Sequence, residues 1–304
     1  MTEEEFNELR PSAFAIAYRM LGSVSEAEDV VQEGFLRLHR ARERGERVES
    51  PRAYLSTVVS RLALDHLRSA RVRRETYVGE WLPEPLVASA DDDPARKAEI
   101  ADSLSLAFLV LLESLSPEQR AAFLLREVFE EPYDRIAQIV GTSEQNARQL
   151  VTRARRHVDE RRPRFEASRE QREELATRFF AAAEEGDLEG LEALLAHDVV
   201  LHGDGGGKVP AIARAMHGRT RVARLLTAGF ARLQTLPGGF TARREDVNGQ
   251  PGALFVDRDG RLIGVMILDV AEGQIQGVNS IVNPDKLRHL GPVGDLRALL
   301  RDRS

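Results

Sequence analysis

Apolar residues change their spacing once along this chain of 304 residues. Up to about residue 200 they recur three and four apart, the period of a helix with one buried face. From Phe240 to Val282 they alternate, and the run is cut by Asn248-Gly249, Asp259-Gly260 and Glu272-Gly273, pairs suited to tight hairpin turns. Helices first and an antiparallel meander afterwards predict all-α modules followed by an α+β domain. An α/β fold is excluded, because its helices and strands would alternate.

Residues 11–74 read as helices. Ser25 opens SEAE with Glu28 three residues on, the pattern of a capping box. Val30, Val31, Phe35, Leu36 and Leu38 follow at near-helical spacing. RERGERVE is a polar break, and Ser50-Pro51 restarts a helix with a cap and a first-turn proline. Tyr54, Leu55, Val58, Val59, Leu62 and Leu67 give it one apolar face ending near Arg74. The prolines and acids of GEWLPEPLVASADDDP mark a linker. Helical pattern returns at residue 101 and runs through SPEQRAAFLLREVF; PRFEASREQ is a second polar junction, and two helices joined at Gly186-Asp187 come after it.

The chain has no cysteine, which removes disulfides, thiolate metal sites and cysteine nucleophiles. It has no apolar run of ~18 residues and no secretory leader, so its expected place is the cytoplasm. The net charge of −6 argues against a general DNA binder, yet the signs are segregated. Arginines gather at 61–74 and 148–162, acids at 26–33 and 91–93. Basic stripes in an acidic chain suit a protein that touches DNA with help from a partner.

The sharpest local pattern is PYDRIAQIVGTSEQNARQLVTRARRHV. Ile136, Ala137, Ile139 and Val140 end a short helix, Gly141 fits a turn, and Thr142 or Ser143 can cap a second helix. Ala147, Leu150, Val151, Ala154 and Val158 then line one face, while Glu144, Gln145, Arg148, Gln149, Thr152, Arg153 and Arg156 line the other. This is helix-turn-helix logic, with Gln145, Arg148 and Gln149 available for base edges and the later arginines for phosphates.

In combination these segments resemble the extracytoplasmic-function sigma factors. AEDVVQEGFLRLHRA is similar to the segment that binds core RNA polymerase, SPRAYLSTVVSRLALDHLRSARVRR to the helix that recognises and opens the −10 promoter element, and 115–158 to the region that reads the −35 element. The resemblance implies core binding by Glu28, Asp29, Gln32 and Glu33. It implies −10 contacts by Asp65, Arg68, Arg71, Arg73 and Arg74, and −35 contacts by Ser143, Glu144, Gln145, Arg148, Gln149, Thr152, Arg153 and Arg156. The family's base-holding loop corresponds to ARERGERVE, which has no aromatic residue to stack on a base.

HGDGGGKVP, at 202–210, invites a phosphate-loop reading, and the pattern fails it. His202 stands where the first glycine belongs and Val209 where a hydroxyl belongs. The surrounding domain resembles the SnoaL-like, ketosteroid-isomerase type of cone, and a subgroup of these sigma factors carries one at its C-terminus. That subgroup shows WLPEP, DGGGK and NPDKL. Here they are Trp81, Leu82, Pro83, Glu84 and Pro85; Asp204, Gly205, Gly206, Gly207 and Lys208; and Asn283, Pro284, Asp285, Lys286 and Leu287. The resemblance implies that the cone regulates in cis, with WLPEP meeting DGGGK and the glycines admitting Trp81. The expected division is a region 2 domain at 1–78, a linker at 79–100, a region 4 domain at 101–163, a linker at 164–171, the cone at 172–290 and a tail at 291–304. The tail reads as a short amphipathic helix that masks or releases a surface. The expected partners are core RNA polymerase and promoter DNA, with no cofactor, metal or membrane. The alternatives are a DNA-binding regulator that needs no polymerase, and a bifunctional protein whose cone binds a small ligand or retains isomerase-like chemistry. Asp198, His202, Asp257 and Asp269 are the acid–base candidates for the latter, although no pair among them has a spacing that demands catalysis.

Overall fold

The structure, a computed structural model, describes residues 2–74, 77–87, 105–160 and 168–301. The chain divides into two compact units.

The first unit is helical. Helix α1 spans Glu3–Leu21, α2 Val24–Glu43 and α3 Pro51–Arg74. Helix α1 begins well before residue 11, because Thr2 caps it by accepting from the Glu5 amide and three glutamates fill its positive first turn. Pro11 lies inside it. Helix α2 is capped by Ser23, which accepts from the Glu26 amide at 3.2 Å, and not by Ser25. Gly22, left-handed at φ 67°, ends α1, so the chain turns there and the next hydroxyl is the one placed to cap. Leu36 also departs from expectation. It is exposed at 42%, while Ala27, Val30, Val31, Phe35 and Leu38 form the buried stripe.

Helices α4 (Leu106–Glu113), α5 (Pro117–Glu127), α6 (Tyr133–Val140) and α7 (Glu144–Asp159) come next. Ser116 and Gln119 complete a reciprocal capping box at the start of α5. Gly141, at φ 79°, makes the turn between α6 and α7, and Ser143 caps α7. Ala147, Val151, Ala154 and Val158 are buried along one side of α7, the stripe its periodicity predicts.

The second unit contains α8 (Arg169–Glu185), α9 (Leu188–Leu194), β1 (Leu195–Asp204), β2 (Met216–His217), α10 (Arg219–Gln234), β3 (Phe240–Val247), β4 (Gln250–Asp257), β5 (Leu262–Ala271), β6 (Gln274–Ile281) and α11 (Leu296–Arg301). Its sheet runs β2-β1-β6-β5-β4-β3. Strands β3 to β6 are the expected antiparallel meander, with Asn248-Gly249 and Glu272-Gly273 both at positive φ in their turns. The expectation of a wholly antiparallel sheet needs one correction. Strand β1 joins β6 in parallel, with Leu201 beside Val278 and His202 beside Asn279. The long return through α10 and the meander permits that pairing. Phe179, Phe180, Phe230 and Phe255 fill the core between helices and sheet. The tail does form a helix, and its Leu296 is buried in that core.

Candidate functional sites

Alternation along β1 puts Leu201 into the core and turns His202 and Asp204 to the opposite face of the sheet. Residues 77–87 cross that face as an extended strap. Its far end is pinned by the Leu86 amide on Asn248 Oδ1 at 2.9 Å, the Asn248 amide on the Leu86 carbonyl at 2.7 Å, and a bridge between Val87 and Val247. The His289 ring meets the Pro85 carbonyl at 2.7 Å.

The near end converges on Asp204, which is fully buried. Its carboxylate accepts from the Tyr77 hydroxyl at 2.6 Å, the Leu82 amide at 2.9 Å, the Gly206 amide at 3.0 Å and Lys286 Nζ at 2.6 Å. Four donors on one buried carboxylate satisfy the charge that burial would otherwise penalise. Lys286 also donates to the Leu82 carbonyl and stands 4.0 Å from the centre of the Trp81 ring. Burial, followed by the Asp204 carboxylate, pushes the Tyr77 hydroxyl above its usual range, keeping it a donor. Asn283 donates to the Tyr77 oxygen at 2.8 Å and caps the short turn Pro284–Lys286. Strap, glycine loop and NPDKL therefore share one hydrogen-bonded cluster.

The glycines serve different neighbours from those expected. A Cβ on Gly206 would lie 2.3 Å from Asn283 Nδ2, and one on Gly207 3.0 Å from the Val78 Cβ. Trp81 is held by Lys286. The loop's own amides are engaged as well: Gly206 donates to Asp204, and Lys208 to the Gly205 carbonyl at 2.9 Å. Lys208 pairs with Asp285 at the surface.

The acid–base candidates stand in separate settings. Asp198 is exposed. Asp257 closes the β4–β5 turn by accepting from the amides of Asp259 and Arg261, each at 2.9 Å. His202 Nδ1 meets Glu80 Oε1 at 2.7 Å. Asp269 accepts from Asn279 Nδ2 at 3.0 Å, its Oδ1 lacks a hydrogen-bond partner, and burial raises its carboxyl to about 6. Of the four, His202 and Asp269 are neighbours.

In the helical unit, Glu28, Asp29, Gln32 and Glu33 lie on the outer side of α2, the first three exposed. Glu28 reaches Arg10 at 3.3 Å and Glu33 reaches Arg37 at 2.8 Å. Leu36 continues this face one turn on. On α3, Asp65 and Arg68 are exposed, and Arg68 meets Asp65 at 3.3 Å. Arg71, Arg73 and Arg74 belong to the helix's last turns, and their side chains lie outside the described residues. On α7 the eight expected DNA contacts, from Ser143 to Arg156, are all exposed. Arg148 bonds Glu144 at 2.6 Å and lies 4.2 Å from the Tyr133 ring centre. Sequence reasoning missed Tyr77, Glu80, Asn248, His289 and Tyr133. Of these only Tyr77 gave a signal, as an aromatic one turn before Trp81.

Residues 6–73 match Sigma-70 region 2, residues 105–158 match Sigma-70 region 4, and residues 176–278 match a SnoaL-like domain. The chain is 40% identical over 295 residues to the ECF RNA polymerase sigma factor SigJ of Mycobacterium tuberculosis, covering 94% of this chain and 93% of that relative. It is 34% identical over 275 residues to the probable ECF RNA polymerase sigma factor SigI of the same organism, covering 90% of each. The crystal structure of Mycobacterium tuberculosis SigJ superposes with a TM-score of 0.76 at 35% identity, covering 96% of this chain and 100% of that one.

Proposed function

This chain belongs to the ECF RNA polymerase sigma factors, and on that premise we propose that it binds core RNA polymerase and directs initiation at promoters read at their −10 and −35 elements. Helix α2 presents Glu28, Asp29, Gln32 and Glu33 to the polymerase. Acidic complementarity of this kind supplies steering and register. Helix α3 takes the −10 element through Asp65, Arg68, Arg71, Arg73 and Arg74. Helix α7 enters the major groove at the −35 element with Gln145, Arg148 and Gln149 toward bases. Ser143, Glu144, Thr152, Arg153 and Arg156 flank them along the groove. The observation that carries this reading is the match of region 2 and region 4, in order, within a relative aligned over nearly the whole chain. The chain works in the cytoplasm, and the cone is assigned a regulatory role without catalysis.

The strap supports regulation in cis. It begins three residues after α3 ends, and residues 75–105 are all that joins α3 to α4. Every residue held on the cone is withdrawn from that connection, so strap release lengthens the reach between the −10 and −35 readers. Run-off transcription with purified core enzyme tests both claims by comparing the intact chain with one stopped before Asn283. Removing NPDKL takes Lys286 from Asp204 and is expected to change promoter output while core association persists. Failure of both forms to associate with core enzyme would reject the sigma-factor reading.

A further inference from the structure

Within the helical unit, one stripe of α3 is already occupied. Ser56 Oγ donates to Glu131 Oε1 at 3.0 Å, and Arg135 Nη2 donates to Thr57 Oγ1 at 2.9 Å. Arg61 donates to the Gln138 carbonyl at 3.0 Å, and Arg68 Nε pairs with Glu118 Oε1 at 3.0 Å. Positions 57, 61, 65 and 68 succeed one another at helical spacing, so these contacts run along the same side as Asp65 and Arg68, the −10 candidates. Glu118 lies in the first turn of α5, and Glu131 lies just before α6. The helix-turn-helix module therefore sets carboxylates against the arginine-bearing side of the −10 helix, where a phosphate would otherwise bind.

The rest of the interface has a different character. Arg120, 2% exposed, donates to the Arg19 carbonyl at 3.0 Å and pairs with Glu113. Arg19 lies 5.2 Å from the Phe129 ring centre. A buried anchor holds α5 on α1, while Arg68 and Glu118, 46% and 35% exposed, form a rim open to solvent. Exposed pairs are individually weak and exchange readily. The outer face of α7 makes no such contact with α3 among the described residues.

We propose that Glu118 and Glu131 form an internal competitor for promoter DNA, occupying the α3 stripe in the free chain and leaving it when α3 takes the −10 strand. The proposal rests on the sigma-factor reading for the identity of the nucleic acid. It is independent of the strap.

Since the chain has no cysteine, the full-length double variant Ser56→Cys with Glu131→Cys carries only two thiols. A short, reductant-cleavable bis-methanethiosulfonate reagent is expected to join them within one chain. The joined protein should lose at least about tenfold in affinity for a single-stranded −10 oligonucleotide, measured by anisotropy without polymerase, and recover on reduction. Single-cysteine controls should show no change. In an otherwise native chain, Glu118→Gln should raise oligonucleotide affinity by roughly two- to fivefold, the range of one exposed ion pair, and flatten its salt dependence. Failure of the thiols to join, equal binding by joined and reduced protein, or an unchanged Glu118→Gln affinity would each overturn the proposal. Core association of the parent chain is measured separately, so its failure would strike the sigma-factor reading and be recognised as such.

Discussion

Lys286 Nζ lies 2.6 Å from Asp204 Oδ2, with side-chain exposures of 7% and 0%. The two residues come from NPDKL and DGGGK, and the strap's Leu82 bonds to both, through its amide to Asp204 and its carbonyl to Lys286. Removing one member of a buried pair strands the other charge, at a cost of about 3–5 kcal/mol. Lys286→Met should therefore detach the strap's near end. Trp81 is the chain's only tryptophan, so its emission reports this site alone. A red shift and faster proteolysis between residues 77 and 87 are expected. Lys208→Ala, which breaks only an exposed pair with Asp285, should leave Trp81 emission unchanged. The same spectra from both variants would show that the buried pair does not hold the strap.

Leu36 is expected to lie at the centre of the core-polymerase contact, because it is a large apolar side chain left exposed one turn beyond Gln32 and Glu33. Leu36→Asp should weaken core association by about 1–2 kcal/mol. Its exposure means the fold should lose no more than about 0.5 kcal/mol. Native-like melting together with unchanged core affinity would remove Leu36 from the interface.

Arg148 and Arg156 lie eight residues apart on α7 and should behave differently on DNA. Arg148 sits in the half of the helix that meets bases, preset by Glu144 and Tyr133. Arg148→Ala should cost about 1–3 kcal/mol of discrimination at one position of the −35 element. Arg156, 82% exposed and paired with Glu160, suits a phosphate. Arg156→Ala should weaken all sequences alike and reduce the salt slope by about one unit. Footprinting across a promoter panel at two salt concentrations separates the two roles.

Much of this arrangement is legible in the sequence because it is periodic. The buried stripe of α7, its Gly141 turn and the glycine-marked hairpins follow from spacing and backbone preference alone. Spacing misplaces Leu36 because it identifies a helix before it identifies which apolar residue is spare. It cannot separate Ser25 from Ser23 because both lie ahead of an acid at capping distance, and the end of α1 at Gly22 decides between them. The strap is harder to read. Its motifs are far apart in sequence, and they are joined by a buried carboxylate and ammonium, which composition presents as ordinary surface charge. The partners Glu80, Asn248 and His289 carry no local pattern. They are selected by the register of β1 on β6 and by where the strap crosses the sheet.

Asp269 makes the cone's stability depend on pH in a direction opposite to that of a salt-bridged acid. Burial holds its carboxyl at about 6 against an ordinary 3.8, while the Asn279 hydrogen bond and the nearby His202 pull the other way. Glu80, bonded to His202 at 2.7 Å, is the next charged group outward. A raised folded pKa means that the folded chain binds this proton more tightly than the unfolded chain. Between about pH 4 and pH 6 the folded state thus holds the extra proton, and this group's contribution to stability falls as pH rises through that window. Above pH 6 the loss is constant, at most about 3 kcal/mol. Asp269→Asn removes the charge and keeps the shape. Its stability advantage over the parent should grow by about 1–2 kcal/mol between pH 4.5 and pH 7.5, read by urea unfolding followed at Trp81. An advantage that stayed constant across this range would mean that the Asp269 carboxylate is solvated or paired in the folded cone.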